Sequence, residues 1–491
     1  MKKLLLSILG VLPLVSSYAQ IDGSVFTAMG RSGVGTTMTT DYQCIGINPA
    51  NLGIKTKYET KHVTIGFLEG GIGAFAQGIT RSQLDKYVIE PIANNNSLTP
   101  EESMKAADLM KNNAISANID LMLFGLAIQN EKLGGLGFRV TEHISVYGAY
   151  SGGFSSFGYS GALSTQYFDQ LRLQDNSVVP NDPSQYDSYQ TIGIKSGISS
   201  TPISFGQIVD GSKTQHNYYR SIDAAYGRKV WGDELLEIHA GVTLKYLMGY
   251  NYMDVTASNG SINGLVAISP TFANSDSTVL NIPTKENKGN VFTPAGQGVG
   301  ADIGITGVFK ETIKFGVSIV NIGSINYNNN TVRIRDTAFT EVEYHKEALK
   351  NFNELLYWDP ISSFKVKLPT MLRFGGSIAL MENKLEIGAD IIIPLNKVAG
   401  NLQHAYYAIG GDFYVTRWFK VSSGMNMGGN FANNLERYKT TFNVPLGFTF
   451  IVGENGGWEV GLATRDVQSL LFAQSKGVNT SLGFGFFRFR F

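Results

Sequence analysis

The stretch Gly232-Asp233-Glu234-Leu235-Leu236-Glu237-Ile238-His239-Ala240-Gly241-Val242-Thr243-Leu244-Lys245-Tyr246-Leu247-Met248 decides the fold. A short polar turn at 232–234 is followed by strict alternation. Leu236, Ile238, Ala240, Val242, Leu244, Tyr246 and Met248 fall on one face of an extended chain. Glu237, His239, Gly241, Thr243, Lys245 and Leu247 fall on the other. The run is long enough to cross an outer membrane as a tilted strand. Its apolar face suits lipid and its polar face suits a lumen.

The same grammar recurs along the chain. Short polar turns lie at Asn130-Glu131-Lys132, Lys310-Glu311, Glu382-Asn383, Trp418-Phe419 and Gly453-Glu454-Asn455, six with the first. The expected strand pairs are 114–129 with 133–150, 217–231 with 235–251, and 298–309 with 312–325. Further on come 367–381 with 384–395, 404–417 with 419–430, and 438–452 with 457–466. Strands at 60–77 and 477–491 stand alone and would pair to close the ring. The total is about 14, an even number as single-chain bacterial barrels require. The expected fold is therefore all-β: a transmembrane antiparallel β-barrel at 58–491. Long outer loops fall at 78–113, 151–216, 252–297 and 326–366, short ones at 396–403, 431–437 and 467–476. Thr99-Pro100-Glu101-Glu102 starts a helix to about Asn112. A second helix is expected over Glu341 to Leu356, and Gln174 to Gln190 reads as exposed loop.

The N-terminus reads as an export signal. Lys2 and Lys3 precede an apolar run from Leu4 to Val15, and Ser17-Tyr18-Ala19 offers small residues for cleavage after Ala19. Beyond it, no stretch is long and apolar enough for a membrane helix; Leu385 to Leu395 is short and holds Glu386 and Asp390. Charged residues are 16%, against roughly 25% in soluble domains. Without Lys2 and Lys3 the chain carries 38 basic and 40 acidic residues, a net of −2, and nothing in this balance points to a nucleic-acid binder. Cys44 is the only cysteine, so no intrachain disulfide or paired-cysteine metal site exists, and it is expected as a small buried residue. The chain ends Gly483-Phe484-Gly485-Phe486-Phe487-Arg488-Phe489-Arg490-Phe491. Phe487, Phe489 and Phe491 share one face, and a terminal aromatic strand is what barrel-assembly machinery reads. Arg488 and Arg490 share the other, near the periplasmic rim. Phe486 beside Phe487 breaks the alternation, through either a bulge or a partly apolar lumen.

Between signal and first strand, residues 20–57 do not read as membrane strand. They contain Ala28-Met29-Gly30-Arg31-Ser32-Gly33-Val34-Gly35, then, after Asp41, Asn48-Pro49-Ala50-Asn51-Leu52-Gly53. This order resembles the N-terminus of the FadL-like outer-membrane transport family, including the PorV-type proteins of Bacteroidetes, in an uncharacterised branch of that group. Val366-Lys367-Leu368-Pro369-Thr370-Met371-Leu372-Arg373-Phe374-Gly375-Gly376-Ser377 is a second likeness, a Leu-Pro lead-in to a strand reading Leu-Arg-x-Gly. The resemblance implies that 20–57 folds into the lumen as a hatch, with Asn48, Pro49, Ala50, Leu52 and Gly53 as its motif. Gly30, Gly33 and Gly35 permit tight turns there, and Pro49 holds Asn48 extended. Two readings of the hatch stay open: a plain seal, or part of gated transport.

Chemistry is sparse. No two of His62, His143, His216, His239, His345 and His404 have metal-ligand spacing, and neither a phosphate loop nor a Gly-x-Ser-x-Gly elbow occurs. His239, Glu237 and Lys245 on one strand read as solvated lumen wall. No enzyme activity, cofactor or metal is expected. The resemblance implies an outer-membrane transport or binding protein for hydrophobic small molecules. The alternative is a PorV-type interaction or carrier protein linked to type IX secretion, with the long loops as binding surface. Expected partners are outer-membrane lipid, barrel-assembly machinery, and either a hydrophobic small molecule or a secretion-system protein.

Overall fold

A computed structural model describes residues 23–54, 62–90, 100–111, 114–130, 132–273, 293–345, 355–402, 404–429, 443–453, 457–471 and 476–491. The expected signal at 1–19 and its cleavage site lie outside these residues. Fourteen strands form the wall. They are β1 (Val63–Thr80), β2 (Ala114–Asn130), β3 (Gly134–Ala149), β4 (Lys213–Gly232), β5 (Leu236–Ser258), β6 (Gly296–Phe309) and β7 (Ile313–Tyr327). The second half comprises β8 (Met371–Leu380), β9 (Leu385–Pro394), β10 (Tyr406–Thr416), β11 (Phe419–Gly428), β12 (Leu446–Val452), β13 (Trp458–Thr464) and β14 (Lys476–Arg490). Each pairs antiparallel with its neighbours in sequence. β14 returns to β1, with Thr64 opposite Arg490 and Gly73 opposite Ser481. The ring is closed, so no strand edge is left unpaired toward lipid.

Alternation places the side chains as read from the sequence. On β5, Val242, Leu244 and Tyr246 face outward and are exposed, while His239, Thr243 and Lys245 are buried inside. Val299, Ile303, Ile305 and Ile409 continue the apolar outer belt. Trp418, Phe419, Phe448 and Phe450 stack near the short-turn end, as an interfacial aromatic girdle does. No helix among the described residues is long and apolar enough to cross a membrane. Phe486 and Phe487 both face outward, because the register between β13 and β14 shifts there. The bulge frees the Phe486 carbonyl, which accepts the Trp458 indole N–H at 2.7 Å. A lone carbonyl against hydrocarbon is thereby avoided.

The outer ends differ from expectation. β5 runs for 23 residues, more than twice what a barrel strand needs to cross. It turns at Asn259-Gly260, both with positive φ, into the strand Ser261–Ile268. That strand pairs with Thr331–Arg335, which pairs with Tyr357–Pro360. A separate sheet joins Gln170–Leu173, Val178–Pro180, Ile194–Ser204 and Ala338–Glu343. Phe157, Phe168, Phe205, Val266, Ile334 and Trp358 form a shared core, so these loops are a folded cap. The helix from Thr99 is present as Pro100–Met110. The helix expected over Glu341 to Leu356 is overturned at its start. Glu341-Val342-Glu343 alternates, Val342 is buried, and the segment pairs with the strand at 194–204; residues 346–354 lie outside those described. Gln174 to Gln190 is exposed but includes the strand Val178–Pro180 and the start of a helix, Tyr186–Ile192.

Candidate functional site: the hatch and the lumen above it

The described part of the N-terminal segment, 23–54, is buried almost throughout, inside the ring. It holds a short helix, Phe26–Gly30, and two 3-10 turns, Asp41–Cys44 and Pro49–Gly53. The wall makes room for it with glycine. Each of the fourteen strands carries one at which a Cβ would come within 3.1 Å of a hatch atom. On β4 and β5, Gly227 and Gly241 face one another, and a Cβ on either would lie 2.3 Å from Pro49. On β6 and β10 a Cβ on Gly304 would lie 2.0 Å from Asn48 Oδ1, and one on Gly410 2.2 Å from the Arg31 carbonyl. Gly461 makes way for the Phe26 ring. Real Cβ atoms do not approach within 3.0 Å, so on all but β7 and β12 the wall at this level favours glycine alone.

The sequence motif lies at the centre of this packing. Asn48 is extended and caps the turn by accepting from Ala50 N. Its Nδ2 donates to Thr36 O at 2.9 Å and to Thr306 Oγ1 on β6 at 2.8 Å. Asn51, which occupies the variable place in the motif, donates to Thr36 O and Thr39 O and accepts from Thr306 Oγ1. The two amides tie the Pro49–Gly53 turn and the Thr36–Thr39 segment to the wall. Ala50 and Leu52 are fully buried, and Leu52 packs with Tyr42, Ile45 and Met122. Gly53 passes so near Arg228 that a Cβ would sit 2.7 Å from its Cα. Cys44 is buried in the same cluster and its thiol faces the Asp41 carbonyl.

Charge fixes the rest. Asp390 on β9 accepts from Gly35 N, Thr36 N and Thr36 Oγ1 at 2.7–3.0 Å, and pairs with Arg373 on β8 at 3.3 Å. Arg31 reaches Asp412 on β10 at 2.8 Å. Asp41 meets Arg488 at 2.6 Å, and Glu459 meets Arg488 and Arg490 at 2.8 and 3.0 Å. The two terminal arginines thus hold the hatch, while Phe487 and Phe491 face outward, exposed, and Phe489 is half-buried. Each pair is taken from water and so stabilises only with its partner in place. Sequence reading did not single out Asp390, Asp412 or Glu459, because their partners lie far away in the chain.

One constellation has the atoms of a hydrolase. Asp120 Oδ1 lies 2.8 Å from His143 Nδ1, and Ser221 Oγ lies 3.4 Å from His143 Nε2. Ser221 is only 1% exposed and its hydroxyl also donates to Asp223 at 3.3 Å. The strand N–H groups around it are taken up by the barrel ladder, which leaves no backbone cradle for an oxyanion. Asp120 instead receives Gly23 N at 2.9 Å, so the group anchors the start of the hatch. His239 and Glu237 pair at 3.2 Å, whereas Lys245 pairs with Asp302 at 3.1 Å. Among the described residues no cluster of three metal-binding side chains occurs.

Above the hatch the lumen is apolar on two sides. Val34 and Met38 pack with Val320, Met371, Ile392, Leu402 and Tyr406. Across from them, Tyr219, Leu247, Tyr252, Ile325, Tyr327 and Leu368 form a second cluster. Between these sides the β7–β8 ladder breaks. Val320 opposes Met371, but Asn321 to Gly323 have no ladder partner on the β8 side, although Ile322 and Gly323 stay paired with β6, and pairing resumes at Ser324 with Lys367. Leu368-Pro369-Thr370 spans the break, where Pro369 offers no N–H. Side chains sew it up: Thr370 Oγ1 donates to Asn321 O, and Asn396 Nδ2 to Leu368 O.

Among curated proteins no sequence matches this chain. A sequence family described as "Family of unknown function (DUF5723)" matches residues 203–435. Solved structures that match over nearly the whole chain are FadL-type outer-membrane channels. A TodX deltaS2S3 mutant monoaromatic hydrocarbon channel is 10% identical, covering 95% of this chain and 99% of that one, with a TM-score of 0.46. The Ralstonia pickettii toluene transporter TbuX is 10% identical over 96% and 99%, at 0.40. A Pseudomonas aeruginosa FadL homologue is 10% identical over 96% and 99%, at 0.42.

Proposed function

We propose that this chain is a transport or binding protein for hydrophobic small molecules in the outer membrane of a Gram-negative bacterium, exported by a signal cleaved near Ala19. The observation that carries the reading is a sealed hatch beneath an apolar lumen. An open water-filled porin has no use for side chains such as Leu247, Ile325, Leu368 and Met371 pointing inward, whereas an apolar guest does. The hatch motif Asn48, Pro49, Ala50, Leu52 and Gly53 forms the floor of that chamber, and Phe487, Phe489 and Phe491 serve insertion by the assembly machinery. The lumen groups act by position and charge, without catalysis.

The test is uptake by a deletion strain and its complemented parent, across alkanes, fatty acids and simple aromatics. Loss of uptake of at least one class in the deletion strain is expected. Equal uptake across the whole panel overturns the reading. The carrier reading, with a type IX secretion partner, has only the size of the outer cap in its favour. Stoichiometric recovery of a protein partner from native membranes would replace the first reading with the second.

A further inference from the structure

We infer that the loop leading from β9 toward β10, residues 395–402, fills the apolar chamber with its own side chains and is the element a hydrophobic guest displaces. This rests on the transport reading above. The neighbouring loop between β7 and β8 builds outward, whereas this loop is short. It turns inward instead: Ala399, Asn401 and Leu402 are 2%, 0% and 2% exposed. Leu402 enters the cluster of Val34, Met371 and Tyr406, and Ala399 enters that of Leu247 and Leu368. One short strap therefore touches both apolar sides of the chamber.

The strap also crosses the lumen. Its tip is Gly400, at φ +87, where a Cβ would lie 3.2 Å from Ser145 Oγ on β3 and 3.7 Å from Asn217 Nδ2 on β4. Those strands stand far round the ring from β9 and β10. Beside the tip, Asn401 Nδ2 donates to Thr370 O at 3.1 Å and to Asn396 O at 2.9 Å, which ties the strap to the β8 side of the wall. Across the lumen, Asn217 Oδ1 is buried with no hydrogen-bond partner among the described residues. With the chamber self-filled, the affinity seen by a guest is lowered by the small fraction of protein in which the strap is out.

The experiment compares three proteins in lipid nanodiscs, with empty nanodiscs as blank. They are the wild type, a deletion of residues 398–402, and the double variant Ser145→Cys with Gly400→Cys; buried Cys44 stays in place. The probe is N-phenyl-1-naphthylamine, whose fluorescence rises in apolar surroundings. Expected are binding about tenfold tighter in the deletion, and at least about tenfold weaker in the oxidised double variant, restored by reduction. If the deletion does not fold, the disulfide lock carries the test alone. Failure of the disulfide to form without probe overturns the strap, and so does equal affinity in all three proteins, which leaves transport standing. No binding by the wild type or the deletion overturns the transport reading itself.

Discussion

Asp390 serves two purposes at once, and its environment sets what its loss costs. It closes the hydrogen bonds of the hatch turn at Gly35 and Thr36 and neutralises Arg373, which is wholly buried. Asp390→Ala strands that guanidinium, and a cost of about 3–5 kcal/mol is expected. It is read as a drop in the temperature at which the heat-modifiable barrel band unfolds. Arg172→Ala in the cap removes a solvated pair with Glu341 and should leave the unfolding temperature of the same band unchanged. Gly241→Val tests the wall directly, since its Cβ would meet Pro49 at 2.3 Å. A loss of about 1–3 kcal/mol by the same assay, with hatch residues newly open to protease, is expected; an unchanged protease pattern would count against tight docking. At this scale the sequence was half legible. Alternation put Arg488 and Arg490 on the inner face, and the motif put Asn48 in a turn. Their partners were invisible, because Thr36 meets Asp390 across more than 350 residues and Asn48 meets Thr306 across 258.

Strands were the most legible elements, because a lipid face and a lumen face impose a period of two whatever the tertiary partners. Leu244→Arg places a charge on the exposed lipid side of β5 and should cost about 2–4 kcal/mol if it lies near the bilayer midplane; a cost near zero would put that residue at the interface. What the alternation concealed was where a strand stops crossing and starts building the cap. The Asn259-Gly260 pair, with both residues at positive φ, is a strong hairpin signal and marks the true end of β5, seven residues past the expected boundary. The helix expected over Glu341 to Leu356 failed for the opposite reason. Val342 finds a buried seat beside the strand at 194–204, and that pairing outweighs local helix propensity. The hatch gives its own element-scale prediction. Deleting residues 23–54 removes the buried floor, so stepwise ion currents are expected in planar bilayers where the intact protein passes none. A silent deletion variant would show that the strap and cap seal the ring unaided.

For the whole molecule, hatch and wall are parts of one packing unit. Heat should therefore release the hatch and open the ring in a single transition, followed by a fluorophore on the hatch and by the barrel band together. Two separated transitions would make the hatch an independent element. The sequence announced the ring but not this unity, since a glycine spaced along a strand carries no sign of the segment it accommodates. The glycine seat also bears on the order of biogenesis. Its contributions, from all fourteen strands, come from segments that leave the ribosome after the hatch, and the last, at Gly485, arrives with the strand that pairs with β1. A finished ring offers no gap through which so closely fitted a segment is threaded. The wall is cast around its plug, as metal is poured round a core, and the final seam is the step that fixes both.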